Sequence, residues 1–141
     1  IYSSEVLRCK QTAEAISDGK IPVEFDQRLL EVFIARQGYW INNPQESYSH
    51  PELGGETRTN VQKRVVDFWN SLELDSDKKY IICSHGDPAY FLYLHLMKKP
   101  LPTGDWSQPN DYPLKGAIRP IECKNNANYQ VGEMLVQPTL Q

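Results

Sequence analysis

The stretch that most constrains the fold is Tyr80-Ile81-Ile82-Cys83-Ser84-His85-Gly86-Asp87-Pro88. A short apolar run, Tyr80 to Cys83, stops at a polar tripeptide, and a longer apolar stretch, Ala89 to Met97, begins behind Asp87 and Pro88. Four apolar residues read as a buried strand. The second stretch is long enough for a helix, with Asp87 as its N-cap and Pro88 at its first position. His85 then falls in a strand-to-helix turn. In an open α/β sheet the carboxyl ends of strands and the helix N-termini behind them form an anion-binding crevice. A histidine there, titrating near neutral pH, is the best-placed reactive group of the sequence.

The rest of the chain arranges itself around that turn. Ile1-Tyr2 reads as the tail of a strand, with Ser3 or Ser4 capping a helix in which Val6, Cys9, Ala13 and Ile16 recur at helical spacing until Gly19. Arg8 lies one turn from that cap. By position alone it is a solvated surface charge; the sharper reading is an anion ligand beside a helix N-terminus. Ile21 to Phe25 is a short strand broken by Pro22, hence an edge strand. Asp26 to Glu31 leads into a long irregular region reaching Gly55, whose Tyr39, Trp40 and Tyr48 suit a lid or substrate wall and equally suit packing on the sheet. Glu31 opens it, and only its neighbours can promote it from a solvated carboxylate to an acid. Thr57 caps a helix whose stripe Val61, Val65, Phe68 or Trp69 and Leu72 belongs to the core, with Arg64 expected on the exposed face. His95, inside the apolar run, reads as a core or rim histidine. Lys99 to Pro113 is a second irregular region, 117–123 and 129–136 form a hairpin around 124–128, and 137–141 is a frayed tail.

Strands alternating with helices predict an α/β fold, a three-layer α/β/α sandwich within a single domain spanning 1–141. A formal net charge of -3 with scattered basic residues gives no support for a nucleic-acid footprint, and no nucleic-acid partner is expected. No apolar run reaches the roughly 20 residues of a membrane span. Cys9, Cys83 and Cys123 lack metal-ligand spacing and read as buried free thiols in a reducing, cytoplasmic compartment. The chain enters structure at once from Ile1, as expected of a chain that begins in mid-domain.

Several stretches, in order, carry a family resemblance. Ser4-Glu5-Val6-Leu7-Arg8-Cys9-Lys10-Gln11-Thr12-Ala13 resembles the Ser-Pro-Leu-x-Arg-Ala-x-Gln-Thr-Ala segment of the histidine phosphatase (phosphoglycerate mutase-like) superfamily. Arg28-Leu29-Leu30-Glu31 is similar to its Arg-Leu-x-Glu segment. Gly54-Gly55-Glu56-Thr57, followed by Arg64-Val65 and Phe68, is similar to its Gly-Glu-Ser helix start, and Ser84-His85-Gly86-Asp87-Pro88 to its second histidine motif. The resemblance covers Ile1 to about Met97. It implies a phosphoglycerate mutase-like fold and hydrolysis of a phosphomonoester through a phosphohistidine, with a small phosphorylated substrate and neither cofactor nor metal. It also implies roles: Arg8, His85 and Gly86 bind the phosphate, with His85 catalytic as well, and Glu31 is general acid and then base. That role asks for a raised pKa, so Glu31 is expected to be partly buried beside the phosphate site.

Two departures qualify this. The family's nucleophilic Arg-His-Gly is absent: the histidines are His50, His85 and His95. The nucleophile, the first strand and the first helix are therefore expected upstream, and this chain alone is expected to be inactive. The strand ending at Ser84 should then border a gap, completed by the upstream segment or by a second copy in a homodimer. In addition, Val32-Phe33-Ile34-Ala35 stands where the mutase branch has Arg-His-Tyr-Gly, which favours a phosphatase over a mutase. The rivals are a catalytically inactive phosphate-binding domain and a metal hydrolase using His50, His85 and Asp87.

Overall fold

The structure, a computed structural model, describes residues 1–32, 55–75, 77–103 and 109–136. In chain order these form β1 (Tyr2–Ser3), α1 (Leu7–Ser17), β2 (Glu24–Phe25), a 3-10 turn (Gln27–Leu29), α2 (Arg58–Ser71), β3 (Ile82–Cys83), α3 (Gly86–Leu96) and the strands β4 (Ile121–Asn125) and β5 (Asn128–Val131). The aromatic region with Tyr39, Trp40 and Tyr48, His50, Trp106 and the tail 137–141 lie outside the described residues.

The first three strands are parallel in the order β2-β1-β3, with Ser3 level with Phe25 on one side and Cys83 on the other. Helices flank this sheet, an α/β arrangement. The strand tail at Tyr2 is thus its centre, and β2, which begins two residues after Pro22 and does not contain it, lies at its edge among the described residues. β3 pairs with β1 through Tyr2 N–H to Ile81 O and Ser4 N–H to Cys83 O, both 2.9 Å. Among the described residues nothing pairs with its other side. The fully buried strand expected over Tyr80–Cys83 is accordingly shorter and half-buried, with Ile81 exposed. β4 and β5 make a separate antiparallel pair, extended by a bridge from Ile118 to Val136.

α2 forms as its sequence demands. Thr57 Oγ1 accepts the Asn60 N–H at 3.1 Å, and Val61, Val65, Phe68, Trp69 and Leu72 are all buried. This face packs with Leu29, Leu92 and Leu96 into one cluster, while Val61, Tyr90, Phe91, Leu94 and Val32 form another. Burying a side chain the size of Phe68 or Phe91 contributes about 1.5–3 kcal/mol, so these clusters fix α2 and α3 firmly behind the turn.

The helix starts differ from expectation. α1 begins two residues after Glu5: Val6 is its N-cap, its carbonyl accepting from Cys9 and Lys10, and neither Ser3 nor Ser4 caps it. Burial follows the single line Cys9, Ala13, Ser17, leaving Ile16 exposed, because α1 meets the sheet along an i, i+4 row. α3 begins at Gly86, two residues before the expected start at Pro88. His85 is extended and its carbonyl already accepts from Ala89 N–H at 3.1 Å, so His85 is the N-cap, and Asp87 and Pro88 sit in the first turn. A proline is tolerated there because its missing N–H would have had no intrahelical acceptor.

Candidate active site

β1 and β3 end level with each other, so the two turns that follow them, and the N-termini of α1 and α3, lie side by side. Arg8 comes from α1 and His85 from the β3–α3 turn, and Glu31 follows the 3-10 turn. The structure brings these three together. Arg8 Nη2 is 2.6 Å from His85 Nδ1, and Glu31 Oε2 is 3.7 Å from each of those two atoms. Gly86 is the first residue of α3, at the helix end where amides without intrahelical acceptors favour an anion.

The tautomer of His85 follows from its partners. Arginine only donates, so Nδ1 accepts from Arg8, and the ring proton sits on Nε2, donated to Ser4 Oγ at 2.8 Å. Ser4 Oγ also accepts the Val6 N–H at 3.3 Å. Both imidazole nitrogens are occupied in this arrangement. The histidine expected to titrate near neutrality does not: burial first, then the Arg8 and Arg64 guanidinium groups, push its pKa down to about 4. It is neutral at pH 7.

Glu31 is half-buried, and burial raises its pKa above the ordinary glutamate value. The Val32 N–H, 3.0 Å from Oε1, pulls the other way, and the charge of Asp87 adds to the rise. A carboxyl shifted upward in this way is able to hold a proton and give it up, the property a general acid needs. Arg8 is well exposed, so its guanidinium is accessible from solvent. The cluster can therefore bind an oxyanion through a guanidinium fork and a helix terminus, and exchange a proton at one carboxyl.

Four residues that support this cluster were not singled out by the sequence as parts of it. Arg64, expected on the exposed face, is the opposite: its side chain is 16% exposed, and it donates to Glu56 at 2.8 and 2.9 Å, to Arg28 O at 2.7 Å and to Glu31 O at 3.1 Å. The reason is geometric. Arg64 lies next to Val65 and Val61 on the edge of the buried face, where a long side chain reaches the segment that carries Glu31. Ser84 Oγ donates to Leu29 O at 2.9 Å and ties the same segment to the β3 end. Ser4 holds His85, as described. Cys9 Sγ donates to Ser84 O at 3.2 Å and stands 3.6 Å from His85 Nε2, while burial raises its thiol pKa. A thiol kept protonated in this way is packing, not a nucleophile. The signal that could have found Ser4 and Ser84 is their position: each directly follows a strand of a parallel pair.

Of the other titratable residues considered, His95 is exposed on α3, away from the cluster's bonds, and His50 lies outside the described residues. Among the described residues no three or more His, Cys, Asp and Glu side chains gather as metal ligands. Nor is any helix there long and apolar enough to cross a membrane.

Comparison with known proteins gives one match. The family model described as the histidine phosphatase superfamily (branch 1) matches residues 1–112. No curated protein and no solved structure matches the chain. The matched residues include β1, the β3–α3 turn, Glu31 and Arg64, and they make up most of the sequence. The chain belongs to the histidine phosphatase superfamily, branch 1.

Proposed function

We propose that this chain supplies the phosphate clamp and the acid of a phosphomonoesterase that works through a phosphohistidine. The observation that carries the reading is the convergence of Arg8, His85 and Glu31, whose pKa burial raises, at the ends of two parallel strands. In this reading Arg8 and the first amides of α3 at Gly86 bind the phosphate oxygens of a small phosphorylated substrate. Arg8 turns from His85 to the incoming dianion, and His85 completes the clamp with whichever proton the ligand's charge favours. Glu31 protonates the leaving alcohol and then takes the proton of the attacking water. No cofactor is needed for these steps.

The nucleophile in this reading is a histidine on a strand outside these 141 residues, paired along the second side of β3. Three observations support it. The sequence contains no Arg-His-Gly, and His85 has both ring nitrogens engaged by Arg8 and Ser4. β3 also has no strand partner on that side among the described residues. The same side would alternatively accept a second copy of this chain. Free thiols at Cys9, Cys83 and Cys123 suit a reducing, cytoplasmic setting.

The test is single-turnover incubation of the full gene product with a radiolabelled aryl phosphate, followed by mapping of the acid-labile phosphate. The reading expects phosphohistidine at a residue other than His50, His85 and His95, with turnover by residues 1–141 alone lower by at least about 1,000-fold. A label on one of those three histidines would remove the external nucleophile. Phosphate binding with no phosphoenzyme would leave the inactive binding domain as the function.

A further inference from the structure

The first turn of α3 is crowded from outside by a residue of the segment that follows Pro109. Tyr112 donates its hydroxyl to Asp87 Oδ1 at 2.6 Å. Its ring lies so close to Gly86 that a Cβ there would overlap the hydroxyl and stand 2.9 Å from Cζ and 3.1 Å from Cε1. Gly86 is helical and not among the residues with positive φ, so no left-handed backbone demands the glycine. Space demands it.

Tyr112 is itself held in place. Asp111 accepts from Tyr90 Oη at 2.9 Å and from Lys99 Nζ at 3.2 Å, which fastens the segment to α3 and its end. The Tyr90 and Tyr112 rings lie 5.3 Å apart, and Tyr112 packs on the cluster that contains Val32, the residue after Glu31. The ring therefore stands at the turn that carries His85, on the side of the acid. Asp87 is 8% exposed and two residues from His85, so where its carboxyl points matters to any anion at the helix end.

We propose that Tyr112 is a positioning residue of the phosphate site: its ring packs against Gly86, and its hydroxyl donates to the Asp87 carboxyl and so offsets the charge it places beside the anion. The proposal rests on the reading of this turn as a phosphate site. Without the hydroxyl, the Asp87 carboxyl loses the proton donor at Oδ1, and its charge competes more strongly with an oxyanion at the helix N-terminus. Without the ring, the turn loses the surface against which Gly86 packs.

Titration of the protein with inorganic phosphate, followed through the Gly86 amide resonance in 15N-labelled material, tests both parts. Tyr112→Phe keeps the ring and loses the hydroxyl; it should weaken phosphate binding about fivefold, near 1 kcal/mol. Adding Asp87→Asn in that background should restore most of the loss, because a neutral amide does not repel the anion. A merely structural tyrosine would show no such rescue. Binding by Tyr112→Phe equal to wild type, or a further loss on adding Asp87→Asn, overturns the role of the hydroxyl. Gly86→Ala should cost about tenfold in the wild type and less than about twofold beside Tyr112→Ala, since the ring it meets is gone. Equal costs in both backgrounds overturn the role of the ring. If Gly86→Ala does not fold, the Tyr112→Phe and Asp87→Asn pair still decides the proposal. No phosphate-induced shift in wild type would remove the phosphate site itself, and this proposal with it.

Discussion

His85 is the residue whose environment departs furthest from that of a free side chain. In the fold its pKa is pushed down to about 4, against about 6.5 for an ordinary histidine. The unfolded chain takes up a proton below about pH 6.5 that the fold refuses until about 4. The neutral ring's contribution is therefore complete above 6.5 and lost as pH falls towards 4, with a full size on the order of 3 kcal/mol. Glu31 acts in the opposite sense. Its raised pKa makes the fold hold the proton more tightly, so its contribution is present below the ordinary glutamate value and lost as pH rises past it. Its side chain is 37% exposed, and solvent screening keeps that term small. Urea unfolding of wild type and His85→Asn checks the balance. The gap between them at pH 7 should shrink by about 2 kcal/mol at pH 5, because the asparagine variant no longer loses stability to this protonation. A gap independent of pH would mean that the ring titrates in the fold as it does in the unfolded chain.

Among the elements, α2 shows how much of a helix is written locally and how much is not. Its cap and stripe follow from Thr57, Val61, Val65, Phe68 and Leu72, because a cap needs only the next turn and a stripe only a period of 3.6. Thr57→Ala should lower stability by about 1 kcal/mol in chemical denaturation, with little effect on the site. Arg64 is different. Nothing in its neighbours says that its guanidinium reaches the carbonyls of Arg28 and Glu31 across the helix edge, since those acceptors are more than thirty residues away. Arg64→Met would remove the guanidinium from Glu56 and from the carbonyls of Arg28 and Glu31, and so loosen the segment that carries Glu31. We expect a loss of roughly 2–4 kcal/mol in stability. In the active protein, kcat should fall more for esters of aliphatic alcohols than for aryl phosphates, whose leaving groups need no acid. Arg64→Lys should recover only part of both, because an ammonium cannot serve the carboxylate and two carbonyls with one fork. Equal losses for the two substrate types would separate Arg64 from the acid.

At the scale of the whole molecule the open question is the second side of β3. Tyr2 N–H and Ser4 N–H bond to Ile81 O and Cys83 O, so the odd residues of this strand face β1 and the amides of Ile82 and Ser84 point the other way. Hydrogen exchange on residues 1–141 should find the Ile82 amide fast and the Cys83 amide protected. In the full gene product, Ile82 should become protected by a factor of about 100 or more if a strand pairs there. Protection of Ile82 in residues 1–141 that rises with protein concentration would instead mark pairing between two copies. Protection independent of concentration would show that the side is already covered within the chain.

The sequence by itself determined the parts of this protein that depend on short-range physics. These are the strand-to-helix turn at His85, the α2 cap and stripe, the hairpin at β4 and β5, and a family pattern dense enough in Arg8, Glu31 and His85 to name the superfamily. Helix starts were off by a few residues, since the first bonded carbonyl, at Val6 or His85, depends on where each strand releases the chain. Only the tertiary structure decided which side chains meet. The neutral state of His85 comes from burial and from Arg8, whose α1 is far from His85 in sequence. The raised pKa of Glu31 comes from burial created by packing. The need for glycine at 86 comes from Tyr112, a ring that arrives from a distant segment. Desolvation and steric contact are set by the whole packed volume around an atom, and no local window of sequence contains that volume.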